Sequence, residues 1–165
     1  MFFSKSLLRH PMAKSNIEDF TGDSKFQPLI ADPAVSDPST IRRVIFCTGQ
    51  VYMTLANCRE QHGITDTAIV RIEQLHPFPW TETRDNLLQY SNVEDVVWCQ
   101  EESLNDGAWS FARTRLETIF DTTSQHKGRR VRFAGRAATP SVATGFMKEH
   151  RAQEAALVKE AFQRG

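Results

Sequence analysis

Apolar residues along this chain fall into two rhythms that alternate. Arg43-Val-Ile-Phe-Cys-Thr48 is a short apolar run closed by Gly49, after which Val51, Leu55 and Cys58 share one helical face until Gly63 stops the pattern. That order predicts a strand, a tight turn and a helix. The unit recurs. Thr67–Ile72 reads as a second strand and Trp80–Tyr90 as its helix, with Thr81 placed to cap it and Leu87 and Leu88 facing inward. Val93–Gln100 is a third strand around Val96-Val-Trp98, and from Gly107 to Phe120 the residues Ala108, Ala112, Leu116 and Ile119 recur at helical spacing. Val131–Ala134 is a short fourth strand ending at Gly135. The alanine-rich, charged stretch Phe146–Phe162 is the strongest helix and packs through Leu157, Ala161 and Phe162. Strands alternating with helices of this length predict an α/β domain of three layers on a mainly parallel sheet with right-handed crossovers.

The regular pattern starts late. Residues 28–40 hold three prolines, three serine or threonine residues and two acids, the composition of a linker or extended surface segment. Before it, Met1-Phe-Phe-Ser-Lys-Ser-Leu-Leu-Arg-His10 is basic, apolar and serine-bearing, with no acid before Glu18. Two readings compete there, a mitochondrial transit peptide and the end of a domain that begins elsewhere.

Composition sets the bounds. A chain of 165 residues, 40% hydrophobic, suits one domain with an appended segment. Twenty basic and twenty acidic residues give a formal net charge of zero, so no overall field recommends a nucleic acid or a membrane surface. No apolar run approaches the roughly twenty residues that span a bilayer. Cys47, Cys58 and Cys99 form no CxxC pair and stand in apolar contexts, as buried free thiols of a reducing compartment do.

Candidate chemistry gathers at predicted strand ends, where open α/β sheets hold their ligands. Arg71-Ile-Glu-Gln-Leu-His-Pro-Phe-Pro79 leaves the second strand through a proline-stiffened loop, and Gln100-Glu101-Glu102 ends the third. Paired acids can hold a metal or share acid and base work, but no His or Cys follows at ligand spacing. The plainer expectation is that Glu101 or Glu102 sits over the helix opening near Gly107, or pairs with Arg71 on a neighbouring strand end. The turn at Gly49 has one glycine where a dinucleotide fold shows three, and GxxxxGK[ST] and GxSxG are missing. The basic run Lys127 to Arg136 splits by strand alternation, sending Arg130 and Arg132 to one face and Arg129 to the other. It reads as a solvated edge or an anion-binding surface. The small-residue loop Gly135–Gly145 suits a phosphate cradle or close packing against another chain.

Taken in order, Lys5-Ser-Leu-Leu-Arg-His-Pro11, Phe46-Cys-Thr-Gly49, Ile69-Val-Arg-Ile-Glu-Gln-Leu75 with Pro77-Phe-Pro79, Trp98-Cys-Gln-Glu-Glu102, Gly107-Ala-Trp109, Gly135-Arg136 and Ala143-Thr-Gly145 form a specific series. The series resembles the carboxy-terminal region of the thiamine-dependent decarboxylase component of 2-oxoglutarate dehydrogenase, and covers essentially the whole chain. The 2-oxoadipate dehydrogenase-like relatives differ near the Leu-Arg-His-Pro and Gln-Glu-Glu segments. The resemblance implies a transketolase-type carboxy-terminal domain over 41–165, a linker at 28–40, and in 1–27 the tail of a preceding pyrimidine-binding domain, which displaces the transit-peptide reading.

It further implies that thiamine diphosphate and magnesium are held by upstream domains. This chain is then expected to bind no cofactor, to carry no catalytic or metal-ligating residue of its own, and to be inactive alone. The full enzyme would decarboxylate 2-oxoglutarate in the tricarboxylic acid cycle and pass a succinyl group to the lipoyl arm of a succinyltransferase. Implied partners are the remaining domains, a second subunit of a homodimer and that succinyltransferase. The implied location is the mitochondrial matrix in a eukaryote and the cytoplasm in a bacterium. Arg9 lies in the segment resembling an acetyl-CoA regulatory pocket of some bacterial relatives, and is the candidate phosphate contact. Arg71, Glu101, Glu102 and Arg136 are candidates for strand-end or interface roles. Ser4, Ser103–Asp106 and Ala137–Pro140 depart from the family pattern, all in loops. The alternative from another class is a free-standing interaction or acyl-CoA-binding module.

Overall fold

The computed structural model describes residues 5–163, so the departure at Ser4 lies outside the described residues. Five strands form one sheet: Leu29–Ile30 (β1), Arg43–Cys47 (β2), Thr67–Ile72 (β3), Asp95–Ser103 (β4) and Arg132–Arg136 (β5). Their order is β1-β3-β2-β4-β5; β2, β3, β4 and β5 run parallel, and β1 pairs antiparallel with β3. The middle strand β2 is buried at every position, as a strand covered on both faces must be.

Four helices cover the sheet: Val51–Gln61 (α1), Trp80–Leu88 (α2), Trp109–Thr122 (α3) and Met147–Phe162 (α4). Alternation along the strands divides the core. Val44, Phe46, Val70, Val96 and Trp98 face α2 and α3, where they meet Leu87, Ala112, Leu116 and Ile119. Ile45, Cys47, Ile69, Val97, Cys99 and Ala134 face α1 and α4, where they meet Leu55, Leu157, Val158 and Ala161. The expected three-layer, mainly parallel α/β architecture is therefore what the chain forms.

Details differ from the pattern reading. The segment 28–40 is tied to the sheet: it supplies β1, and its Asp32 carboxylate is buried against the Arg59 guanidinium. Asp32 also accepts from the backbone N–H of Ile69 at 2.7 Å and of Ala34 at 3.0 Å. A two-residue strand is too short to show periodicity, which is why composition reads only as a linker or extended surface segment. Thr81 does not cap α2, which starts behind Pro79 with no side-chain cap. Leu88 turns outward, because α2 ends there and Leu87 with Tyr90 already fills the inner face. Phe162 packs against the α1 and α4 layer as expected, though only half-buried. Residues 11–27 are exposed throughout.

Candidate functional site

The chain leaves β2 towards β3 and leaves β4 towards β5, so the sheet parts its connections at the carboxy-terminal ends of β2 and β4. In this topology that crevice is where a ligand is expected. Here it is bridged. Gly49 adopts φ 74°, a left-handed conformation that folds the chain back after β2 and presents Gln50. The Gln50 Nε2 donates to Glu101 Oε1 at 2.7 Å and spans the two strand ends. Burial pushes the Glu101 carboxyl up from its ordinary range; Glu102 and Glu154 push the same way, while the Gln50 hydrogen bond and His150 oppose them.

Beneath this bridge lies Gln100, fully buried at the end of an apolar strand. Its Oε1 accepts from the indole Nε1 of Trp98 at 2.9 Å, and its Nε2 donates to the carbonyls of Ser103 at 3.0 Å and Asp106 at 2.8 Å. One amide thus shapes the whole 103–107 turn. Gly107 closes that turn at φ 64°, and a Cβ there would come within 2.9 Å of both Gln100 Nε2 and Glu102 Cβ. The sequence carried a signal for this: a glutamine two residues from a buried tryptophan shares its face, and a buried amide must find partners.

The structure places Arg71, Glu101, Glu102 and Arg136 at strand ends without gathering them into one site. Arg71 does not pair with Glu101 or Glu102. It belongs to β3 and they belong to β4, with β2 lying between, so the strand ends are not neighbours. Arg71 instead approaches Glu73 at 3.6 Å and stacks 4.4 Å from the Tyr52 ring centroid. Glu102 is exposed and lies beside Gly107 before α3, in keeping with a place near that helix start. Arg136 donates from Nε to Gln153 Oε1 at 2.7 Å and from Nη1 to the Val142 carbonyl at 3.2 Å. Arg9 is exposed at the end of the short 3-10 helix Lys5–Arg9.

Arg136, residues 137–145 and α4 enclose an open cavity of about 390 Å³, the loop read as a possible phosphate cradle. Its cation is already committed to Gln153 and Val142, and Glu149 in the first turn of α4 faces it with the wrong charge for an anion. The basic run is likewise committed internally. Arg129 donates to the Glu94 carbonyl, Arg130 reaches Asp121 on α3, and Arg132 binds Asp95 and the carbonyls of Glu160 and Gln163 at the end of α4. Arg130 and Arg132 therefore serve opposite layers. The alternation expected of them fails because β5 begins only at Arg132.

Among the described residues no group of three or more His, Cys, Asp or Glu side chains converges as a metal would require. The carboxylates of this edge face Gln50 and Gly107, and this arrangement does not fit a diphosphate held through magnesium. No described helix is long and apolar enough to cross a membrane.

A model of the family described as 2-oxoglutarate dehydrogenase C-terminal matches residues 14–162. The chain is 42% identical over 167 aligned residues to the mitochondrial 2-oxoglutarate dehydrogenase of Saccharomyces cerevisiae, covering 99% of this chain and 16% of that protein. It is 41% identical to the mitochondrial 2-oxoglutarate dehydrogenase of Schizosaccharomyces pombe, over 98% of this chain and 16% of that protein. To the 2-oxoglutarate dehydrogenase E1 component of Haemophilus influenzae it is 40% identical, over 95% of this chain and 16% of that protein. The chain thus spans about a sixth of the length of these relatives. Among solved structures it resembles a chain titled split gene transketolase, inactive beta4 tetramer, with TM-score 0.52 and 17% identity over 86% of this chain and 43% of that one. That likeness concerns the fold.

Proposed function

This chain belongs to the 2-oxoglutarate dehydrogenase C-terminal family, and from that membership we propose that it works as the carboxy-terminal domain of a thiamine-dependent 2-oxoglutarate decarboxylase, bracing an active site whose cofactor residues lie in other domains. The observation that carries the proposal is identity of 40–42% over nearly the whole chain to proteins named for that substrate, in yeasts and bacteria alike. The same names favour 2-oxoglutarate over 2-oxoadipate. Thiamine diphosphate with magnesium supplies the decarboxylation chemistry in this reading, and the succinyl product passes to a lipoyl-bearing succinyltransferase.

The surface supports a bracing role. Leu8, Ile17, Phe20 and Phe26 on the amino-terminal segment are 68–74% exposed, and Val142, Phe146 and Met147 in the loop before α4 and at its start are 66–82% exposed. Apolar side chains in such numbers mark surfaces that neighbouring domains or a second subunit cover. Residues 1–27 then serve as the tail of a preceding pyrimidine-binding domain, and 41–165 as the transketolase-type unit. Arg9 stands ahead of the matched residues 14–162, and its proposed contact with an acyl-CoA phosphate rests on its segment alone. By the same reasoning the working compartment is the mitochondrial matrix in a eukaryote and the cytoplasm in a bacterium.

The purified chain, mixed with thiamine diphosphate, magnesium and 2-oxoglutarate, is expected to release no carbon dioxide above the protein-free rate. Turnover by this chain alone would overturn the placement of the cofactor site in other domains.

A further inference from the structure

β2 and β4 run parallel and in register, and the register sets Cys47 directly beside Cys99. Both thiols are free and fully buried, and both face the α1 and α4 layer. We propose that Cys47 and Cys99 form a reversible redox pair, a dithiol that hydrogen peroxide converts to a disulfide stapling the two central strands at the crevice.

The geometry permits the bond. Neighbouring strands lie about 4.7–4.9 Å apart, inside the range of roughly 4.4–6.8 Å that disulfides span between Cα atoms. Two residues paired in register on parallel strands send their Cβ atoms to the same face. Cys47 Sγ now rests 3.8 Å from the Val70 carbonyl, on the β3 side, so bond formation requires it to change its χ1 rotamer. The reaction balances with peroxide as the only co-reactant. One thiolate attacks a peroxide oxygen and breaks the O–O bond, giving a sulfenic acid and, with a proton, the first water. The second sulfur displaces the sulfenic oxygen as the second water, so two S–H bonds and one O–O bond are exchanged for one S–S bond and two O–H bonds. The sulfurs lose two electrons and the peroxide gains them; a reducing thiol reverses the step by exchange.

What gates the pair is its cover. Leu157, Val158 and Ala161 of α4 lie over the face that holds both thiols. Burial raises the Cys47 thiol well above its ordinary value and pushes Cys99 up to about 12, so the nucleophilic thiolate is scarce while α4 is seated. Oxidation therefore follows local opening of α4. The end of α4 is held by Arg43 and Arg132, which share the Asp95 carboxylate and donate to the carbonyls of Phe162, Glu160 and Gln163. Once formed, the disulfide would fix β2 to β4 three residues before Gln50 and two before Glu101, just below the side-chain bridge that closes the crevice. Cys58 takes no part, because it stands half-buried on α1 beside His62.

The test uses the full chain carrying Cys58→Ser, exposed to hydrogen peroxide in urea below its unfolding transition, then unfolded, alkylated and weighed. The expected product is an intact mass lower by two hydrogens, with a Cys47–Cys99 linked peptide that dithiothreitol removes. Asp95→Asn, which loosens the end of α4, is expected to speed its formation several-fold. Separate sulfinic acids on Cys47 and Cys99, or two thiols that both remain alkylable after the exposure, would overturn the proposal. Since the urea series is run on the chain with its core intact, the outcome stands even if Asp95→Asn fails to fold.

Discussion

Gln100 has a buried amide whose oxygen accepts from Trp98 and whose nitrogen donates to the Ser103 and Asp106 carbonyls. Replacing it with leucine keeps the volume but takes away the acceptor of the buried indole N–H, while the Ser103 carbonyl keeps the Asp106 N–H and the Asp106 carbonyl lies on an exposed turn. Gln100→Leu should cost about 1–3 kcal/mol, the cost of leaving one buried polar group unsatisfied; urea unfolding of wild type and variant measures it. His126 makes the matching case for charge. It is fully buried on the α3 side, and neither ring nitrogen has a well-formed hydrogen bond. Burial first, and Arg129 second, hold its imidazole below the ordinary value of 6.5, against weak help from the Leu87 backbone. Below that value the unfolded chain binds a proton that the folded chain refuses, so stability is complete above it and declines as the pH falls towards the folded value. His126→Phe should flatten that decline in denaturation midpoints taken across the window; an unchanged slope would clear His126 of responsibility. Individual residues of this kind were only partly readable from the chain. The Gln-Glu-Glu run stood out, but its first member acts by burial and its second through Gln50, a residue that the pattern showed only as part of a turn.

Between β1 and β2 the chain runs as a strap anchored at its start by the Asp32 carboxylate and at its end by buried Ile41. Asp32 binds Arg59 of α1 and the Ile69 amide of β3, so it joins the strap, a helix and the sheet in a place where its side chain has no solvent exposure. Removing one partner of a buried ion pair strands the other, at about 3–5 kcal/mol. Asp32→Ala should show that loss in urea unfolding, together with faster hydrogen exchange at β1 and at Ile69; a loss confined to a few tenths of a kcal/mol would mean the strap is held otherwise. Elements with long periodic runs were legible: β2, β3, α3 and α4 stand where their apolar spacing put them. β1 was not, since two residues carry no period and the prolines of the 28–40 segment spoke for a linker or extended surface segment. The alternative that paired Arg71 with Glu101 or Glu102 failed for a related reason. Chain order makes β3 and β4 consecutive, whereas the sheet inserts β2 between them, and strand order is set by crossovers that local spacing does not record.

The domain is a three-layer α/β fold whose switch-point crevice is bridged by Gln50 and Glu101, and whose β5 arginines, Arg132 and Arg136, are spent on α4 and its preceding loop. The most exposed large apolar side chains among the described residues lie on the amino-terminal segment and around the start of α4. That distribution supports the proposed bracing role, in which neighbouring domains or a second subunit cover these side chains. The family was legible from the order of short motifs, each weak by itself; the bridged crevice was not, because it depends on which strand ends the fold makes adjacent. The most direct measurement exchanges this chain for the matching carboxy-terminal part of the Saccharomyces cerevisiae 2-oxoglutarate dehydrogenase and follows 2-oxoglutarate decarboxylation with thiamine diphosphate and magnesium. The chimera should turn over within an order of magnitude of the parent, while a version lacking the domain should not. A folded chimera without turnover, or full activity in the version lacking the domain, would contradict a bracing role in this enzyme.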